Sequence, residues 1–227
     1  MTSGSVHIVG THTFAGEVAD FAREAGLSIA GLLETGDPGR IGMTVQGLPV
    51  MPLEEGPGGE AEVQVIIGTG EPRRREVVAR AQRAGWEPVS LVHPEAHLAA
   101  SVSIGPGVLI APGVVVGAYT TIGEHVVMGR GTLVGHHVEI GEFATLGPGV
   151  NLAGGVRIEP DTFFGMGAVV RDHVSIGAGA IVAMGAVVIG DVAPEAEVRG
   201  VPACAAPRWR SALRRRIPSS RRIFRRW

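Results

Sequence analysis

The sequence is poor in several things, and each shortage excludes something. One cysteine, Cys204, stands in 227 residues, so no internal disulfide can form and a reducing compartment is expected. Aromatic residues make up 4% of the chain, which leaves the core to aliphatic side chains. Lysine is absent, all 20 basic residues being arginine, a bias without a physical account. No apolar run approaches the roughly 18 residues that would span a bilayer. The N-terminus lacks the basic flank and apolar stretch of a secretion signal. A cytoplasmic protein is expected.

Glycine runs the other way, at 35 of 227 residues, about twice the usual share. Valine, isoleucine and leucine are spread throughout, which argues against a disordered chain. The net charge of −2 hides a split. Residues 207–227 hold nine arginines and no acid, leaving 11 arginines against 22 acids on the first 206 residues, a net of −11. So acidic a body is ill suited to nucleic acid, and no nucleic-acid partner is expected. The tail interleaves its arginines with Trp209, Leu213, Ile217, Ile223, Phe224 and Trp227, a mixture suited to an anionic membrane surface.

Residues 1–92 read as a small α/β unit. Val6 to Gly10 is a short apolar strand, and Phe14, Val18, Phe21 and Ala25 form a helical stripe closed by Gly26, with Thr13 as its N-cap. Leu27 to Leu33 and Val63 to Ile67 have strand character, and Glu71 to Ala84 is helical. The alternation predicts a small Rossmann-like parallel sheet. No dinucleotide fingerprint is present, because Gly10 to Gly16 lacks its spacing.

From Leu98 the rule changes. Every sixth residue, from Leu98, Ile104 and Ile110 through to Val182, is apolar fifteen times in succession. The next residue is Gly or Ala in thirteen of the fifteen, and the fourth is always Val, Thr or Ala. A six-residue period sustained this long predicts a parallel β-helix. Three six-residue sides make one coil, so fifteen hexads give five coils, a prism on the order of 24 Å tall at the usual strand spacing. The outward residues sort by side. The first side shows Ser103, Thr121, Glu139, Arg157 and Ser175; the second, Leu109, Val127, Thr145, Phe163 and Ile181; the third, Val115, Leu133, Asn151, Val169 and Val187. Two apolar walls exceed what a monomer leaves in water, so either the N-terminal unit covers them or a homotrimer forms. The expected division is 1–92, 93–206 for the solenoid, and 207–227 for the Arg-rich tail.

The most specific segment is Val134-Gly135-His136-His137-Val138-Glu139-Ile140-Gly141-Glu142-Phe143. With the α/β unit, the solenoid and the closing Gly200-Val201-Pro202-Ala203, it resembles the sialic-acid O-acetyltransferase and UDP-amino-sugar (bacillosamine-type) N-acetyltransferase family over about residues 5–203. The resemblance implies a left-handed β-helix. It also implies acetyl-CoA as co-substrate, no metal, and a small-molecule sugar acceptor bound by residues 1–92 and acylated on an amine or hydroxyl. By the same likeness His136 is the general base, a role that suits imidazole, and the Gly154 N–H is the oxyanion donor. Thr145, Met166, Ala183 and Met184 fall along the coenzyme A groove. His12, Thr13 and Phe14, then Glu34, Thr35 and Gly68, fall where the family meets its nucleotide sugar.

Three departures stand out. His137 occupies the place of an acid that raises the base's proton affinity, and a second imidazole supplies no negative charge, leaving Glu139, Glu142 or another subunit to do so. Thr145 replaces a histidine. Phe14 replaces another in a loop that has lost two glycines, leaving less room for a diphosphate. These departures keep open a non-catalytic scaffold of the same fold. A metal lyase of the carbonic-anhydrase type needs three converging histidines, whereas His137 and His173 lie two coils apart, roughly 10 Å, and His93 and His97 precede the hexads.

Overall fold

A computed structural model describes residues 5–56, 64–68 and 74–206. Val63, Thr69, Gly70, the start of the 71–84 helix and the 207–227 tail, with the membrane surface expected of it, lie outside the described residues.

The N-terminal unit is built on β1 (Ser5–Val9), α1 (Thr13–Glu24), β2 (Ser28–Glu34), β3 (Thr44–Val45), β4 (Leu48–Pro52), β5 (Gln64–Ile67), α2 (Arg74–Arg83) and β6 (Glu87–Pro88). The sheet order is β3-β4-β2-β1-β5-β6, with every pairing parallel except β3 against β4. The N-cap of α1 is His12, not Thr13, and no side chain completes it. The β3–β4 hairpin has no counterpart in the sequence reading. Its two-residue turn sets Gln46 at φ 51° and Gly47 at φ 77°, the left-handed pair that such tight hairpins need. Gln46 is an unusual residue to accept it.

The hexads form the expected parallel β-helix, and its reach is greater than five coils. The strand Leu91–Val92 already pairs with Leu109–Ile110, so the solenoid begins inside the segment assigned to the α/β unit, and His93 and His97 belong to its first coil. At the other end Val187–Val188 and Glu197–Arg199 add rungs, giving six coils and a start on a seventh. The period breaks there: Ile176 bridges Val192 and Val182 pairs with Val198, sixteen residues on rather than eighteen. Two residues are missing from the last coil. Finally Cys204–Ala206 turns back antiparallel to Glu197–Arg199.

Core packing follows the pattern. The sixth residues and the small residues four on fill the axis, among them Met128, Leu146, Phe164 and Ala180, each with no exposed surface. The two apolar walls have different fates. The second side is covered from within: Leu109 and Val127 join Val18 and Phe21 of α1 in one apolar cluster, and Phe143 at the adjoining corner packs with Leu33, Leu53 and Trp86. The third side stays open, with Val115, Leu133 and Val169 about two-fifths exposed (41%, 44% and 39%).

Candidate active site

His136 and His137 project from the corner that follows Leu133–Val134, between the third and first sides. Both are exposed. His137 takes a left-handed backbone at φ 55° and its N–H bonds the Ala118 carbonyl at 2.9 Å. Its ring stacks on Tyr119 with centroids 4.9 Å apart. The His136 and His137 rings stand edge to face, with their Nδ1 atoms 3.1 Å apart.

One coil above lies Gly154. The Gly155 N–H bonds the His136 carbonyl at 2.9 Å, while no carbonyl among the described residues accepts the Gly154 N–H. A Cβ at Gly154 would stand 2.7 Å from His136 Cε1 and 2.9 Å from Nε2, so the imidazole fits because this residue has no side chain. The corner thus sets an imidazole beside a backbone N–H that no carbonyl among the described residues accepts.

Glu142 belongs to a different corner. Its carboxylate bonds Arg75 at 2.9 Å, the same guanidinium bonds Asp161, and the charge sits 4.0 Å over the Phe143 ring. Glu139 pairs with Arg157 at 3.2 Å. Among the described residues neither acid bonds His136 or His137.

The four residues assigned to coenzyme A divide. Met166 and Met184 are stacked one coil apart at the corner between the second and third sides, 56% and 71% exposed, and Ala183 adjoins them half-buried. Thr145 lies on the second side under α2, where the buried Arg74 donates to its Oγ1 at 2.8 Å and to the Phe143 carbonyl at 2.6 Å. A cleft of about 270 Å³ runs between α1 and this side, lined by Phe14, Phe21, Arg74, Thr145, Phe163 and Met166. Thr145 and Met166 therefore share a cavity with Phe14 of the acceptor loop. Glu17 and Arg130 form an ion pair at its edge.

The remaining acceptor residues gather at the C-terminal ends of β1, β2 and β5. His12 and Thr13 are exposed. The Glu34 carboxylate is spent on its own loop, accepting from the N–H groups of Thr35, Gly36 and Asp37 and from Thr11 Oγ1. Burial pushes this carboxyl up, but those hydrogen bonds outweigh it and hold it below the usual range. Thr35 is half-buried beside it. Gly68 is needed for packing, since a Cβ there would meet Ile8 Cγ2 at 2.8 Å and Ala15 Cα at 3.2 Å. Arg40 was not foreseen. It donates to the Thr11 carbonyl at 2.8 Å and reaches His12 Nδ1 at 3.2 Å, placing a cation where the loop has lost its glycines. Among the described residues no three metal-ligating side chains converge, and no helix is long and apolar enough to cross a membrane.

Residues 155–190 match the family model for the bacterial transferase hexapeptide (six repeats). No curated protein matches the chain in sequence. Solved structures match it over nearly its whole length. A histidine-to-asparagine variant of perosamine N-acetyltransferase from Caulobacter crescentus, in complex with CoA and GDP-perosamine, is 31% identical with a TM-score of 0.84, over 91% of this chain and 98% of that one. The acetyltransferase domain of PglB from Neisseria gonorrhoeae FA1090, in complex with acetyl coenzyme A, is 25% identical with a TM-score of 0.80, over 89% and 98%. WeeI from Acinetobacter baumannii AYE is 27% identical with a TM-score of 0.79, over 89% and 99%.

Proposed function

This chain belongs to the left-handed β-helix sugar N-acetyltransferases and is an acetyl-CoA-dependent acyltransferase; from that premise we propose that it acetylates the amine of a nucleotide-linked amino sugar, with His136 as general base and Gly154 as oxyanion donor. The apposition of His136 and Gly154 carries the reading. The acceptor nitrogen attacks the thioester carbonyl carbon directly. His136 Nε2 takes the proton that nitrogen sheds, and the Gly154 N–H meets the oxygen as it gains charge. The C–S bond then breaks, and the departing thiolate recovers the proton from His136.

The acceptor's nucleotide belongs at the ends of β1, β2 and β5, where Arg40, held on His12, supplies the positive charge a diphosphate needs. The apolar cleft beside Phe14 and Thr145 takes the less polar part of the reacting pair. Met166, Ala183 and Met184 line the coenzyme A arm. Within one prism that arm's corner and the His136 corner lie at opposite edges of the open third side. A trimer packed through this side sets the Met166 corner of one copy beside His136 of the next, so the complete site belongs to two subunits. We place the enzyme in the cytoplasm, consistent with its single thiol at Cys204, with residues 207–227 drawn to an anionic membrane.

The test is thiol release from acetyl-CoA with GDP-, UDP- and dTDP-linked amino sugars as acceptors. His136→Ala is expected to cost at least about 10²-fold in kcat, the contribution of a positioned base, with coenzyme A binding retained. A variant keeping more than about a tenth of the rate would remove His136 from the chemistry.

A further inference from the structure

We propose that His137 is a positioning residue that accepts a hydrogen bond from His136 Nδ1–H through its own neutral Nδ1, so that the two imidazoles work as one base holding a single proton between them. This rests on the reading of His136 as the base, and it assigns to a neutral ring the task that a carboxylate would perform.

Two nitrogens 3.1 Å apart can share only one proton, so one ring donates and the other accepts. Were His137 the donor, His136 would carry its proton on Nε2, the nitrogen nearer Gly154, and would have no lone pair there to receive another. With His136 as donor, Nε2 keeps its lone pair for the substrate's proton. The accepting ring is held for this task. His137 is pinned by its left-handed backbone, by the bond from its N–H to the Ala118 carbonyl and by the face of Tyr119. Once His136 has taken the substrate's proton, the His137 lone pair still accepts Nδ1–H and steadies the cation.

Among the described residues His137 alone is placed for that role. Tyr119 lies one coil below. Above, His173 lies over Gly155, where a Cβ would meet its Nδ1 at 2.5 Å. Arg171 and Asp172 pair with each other at 3.8 Å, two coils up, and Glu139 is engaged by Arg157. Among the described residues neither ring bonds a carboxylate. A first proton on the pair is therefore shared. A second proton in the bridge would set two N–H groups face to face and break the geometry.

The tautomers can be read directly in the full chain, labelled with ¹⁵N-histidine, by long-range ¹H–¹⁵N correlation above the histidine titration range. In the wild type His136 is expected to carry its proton on Nδ1. In His137→Ala it reverts to the Nε2–H form favoured by free imidazole, and in His137→Asn, whose side-chain oxygen accepts and whose residue type tolerates this backbone, Nδ1–H returns. Finding His136 protonated on Nε2 in the wild type, or unmoved in His137→Ala, overturns the inference. With acetyl-CoA and GDP-perosamine as probes, His137→Ala lowers kcat about tenfold or more at unchanged KM for acetyl-CoA, and His137→Asn recovers part of it. His137→Asp moves the acid limb of the pH profile to higher pH, because a carboxylate raises the proton affinity of His136. An acid limb left where it was would count against the inference. Failure of the wild type to acetylate any nucleotide sugar, with the tautomer as stated, would defeat the acetyl-transfer reading and leave the histidine pair standing.

Discussion

The α-carbon of Gly154 faces the imidazole of His136 so closely that a methyl group there would stand 2.7 Å from Cε1 and 2.9 Å from Nε2. That distance is shorter than real carbon contacts, so the ring or the backbone would have to move. Gly154 is not in the left-handed region, and alanine is conformationally acceptable to its turn. Gly154→Ala should therefore fold normally and lose at least about 10²-fold in kcat, the scale of a displaced base or a lost oxyanion donor. Thermal melts matched to wild type beside collapsed turnover would bear this out; turnover within about threefold of wild type would refute it.

The open third side makes a prediction about assembly. Val169→Asp or Leu133→Asp puts a charge into an exposed apolar wall and should dissociate the proposed trimer and remove activity together. Sedimentation velocity decides: a monodisperse, active wild-type monomer would sink the shared-site reading. Val127→Asp tests something else. Val127 is buried against α1 and the N-terminal cluster, so an acid there should damage folding rather than assembly.

Buried His125 gives the fold a pH dependence. Burial pushes its pKa below the ordinary imidazole value of about 6.5, opposed by Glu124 and assisted by Arg74 and Arg75. Its ring packs on Phe143 at 4.8 Å, and its Nδ1 has no hydrogen-bond partner among the described residues. Because the folded state binds this proton less tightly than the unfolded chain, the contribution is complete above about pH 6.5 and is lost as pH falls through the lowered folded value. His125→Phe should narrow the difference in Tm between pH 8 and pH 5. A change of about 2–4 °C corresponds to roughly 1 kcal/mol in a chain of this length. An unchanged difference would contradict the assignment.

Deleting residues 208–227 should leave acetyl transfer within about twofold of wild type, because the site residues all precede the segment, and should abolish flotation with vesicles containing anionic lipid. Unaltered flotation, or loss of catalysis, would contradict this division of labour.

Much of the fold was legible because a solenoid repeats its instructions. Leu98 to Val182 announce side, direction and core fifteen times over, and Val92 and Val188 extend the same register once the outer coils are seen. Val192 hid because two residues are missing before it. Thr13 lost the cap position to His12, and the turn at Gln46-Gly47 was invisible because Gln is a poor signal for a left-handed residue. Of the candidate site, only the local part was legible: the eighteen-residue coil brings His136 and His137 beside Gly154 and Gly155. Arg40 and Arg74 were not, since each meets its partners 28 to 71 residues away in sequence, and no spacing encodes such a meeting. Nor could composition say which apolar wall α1 would cover.

A stack of coils has no inherent length, and each exposed rung is a template for another. At the far end of this prism the strand Cys204–Ala206 runs against the polarity of every rung beneath it, and Ala203 bonds back to the Val187 carbonyl at 2.8 Å. A second molecule arriving with its own first coil finds a strand pointing the wrong way and part of the edge already engaged. At the near end the chain enters through the N-terminal unit, which occupies the flank of the first coils. The repeat that could have propagated into a fibre is thereby made finite, and sideways association through the third side is left as the open route for copies to meet.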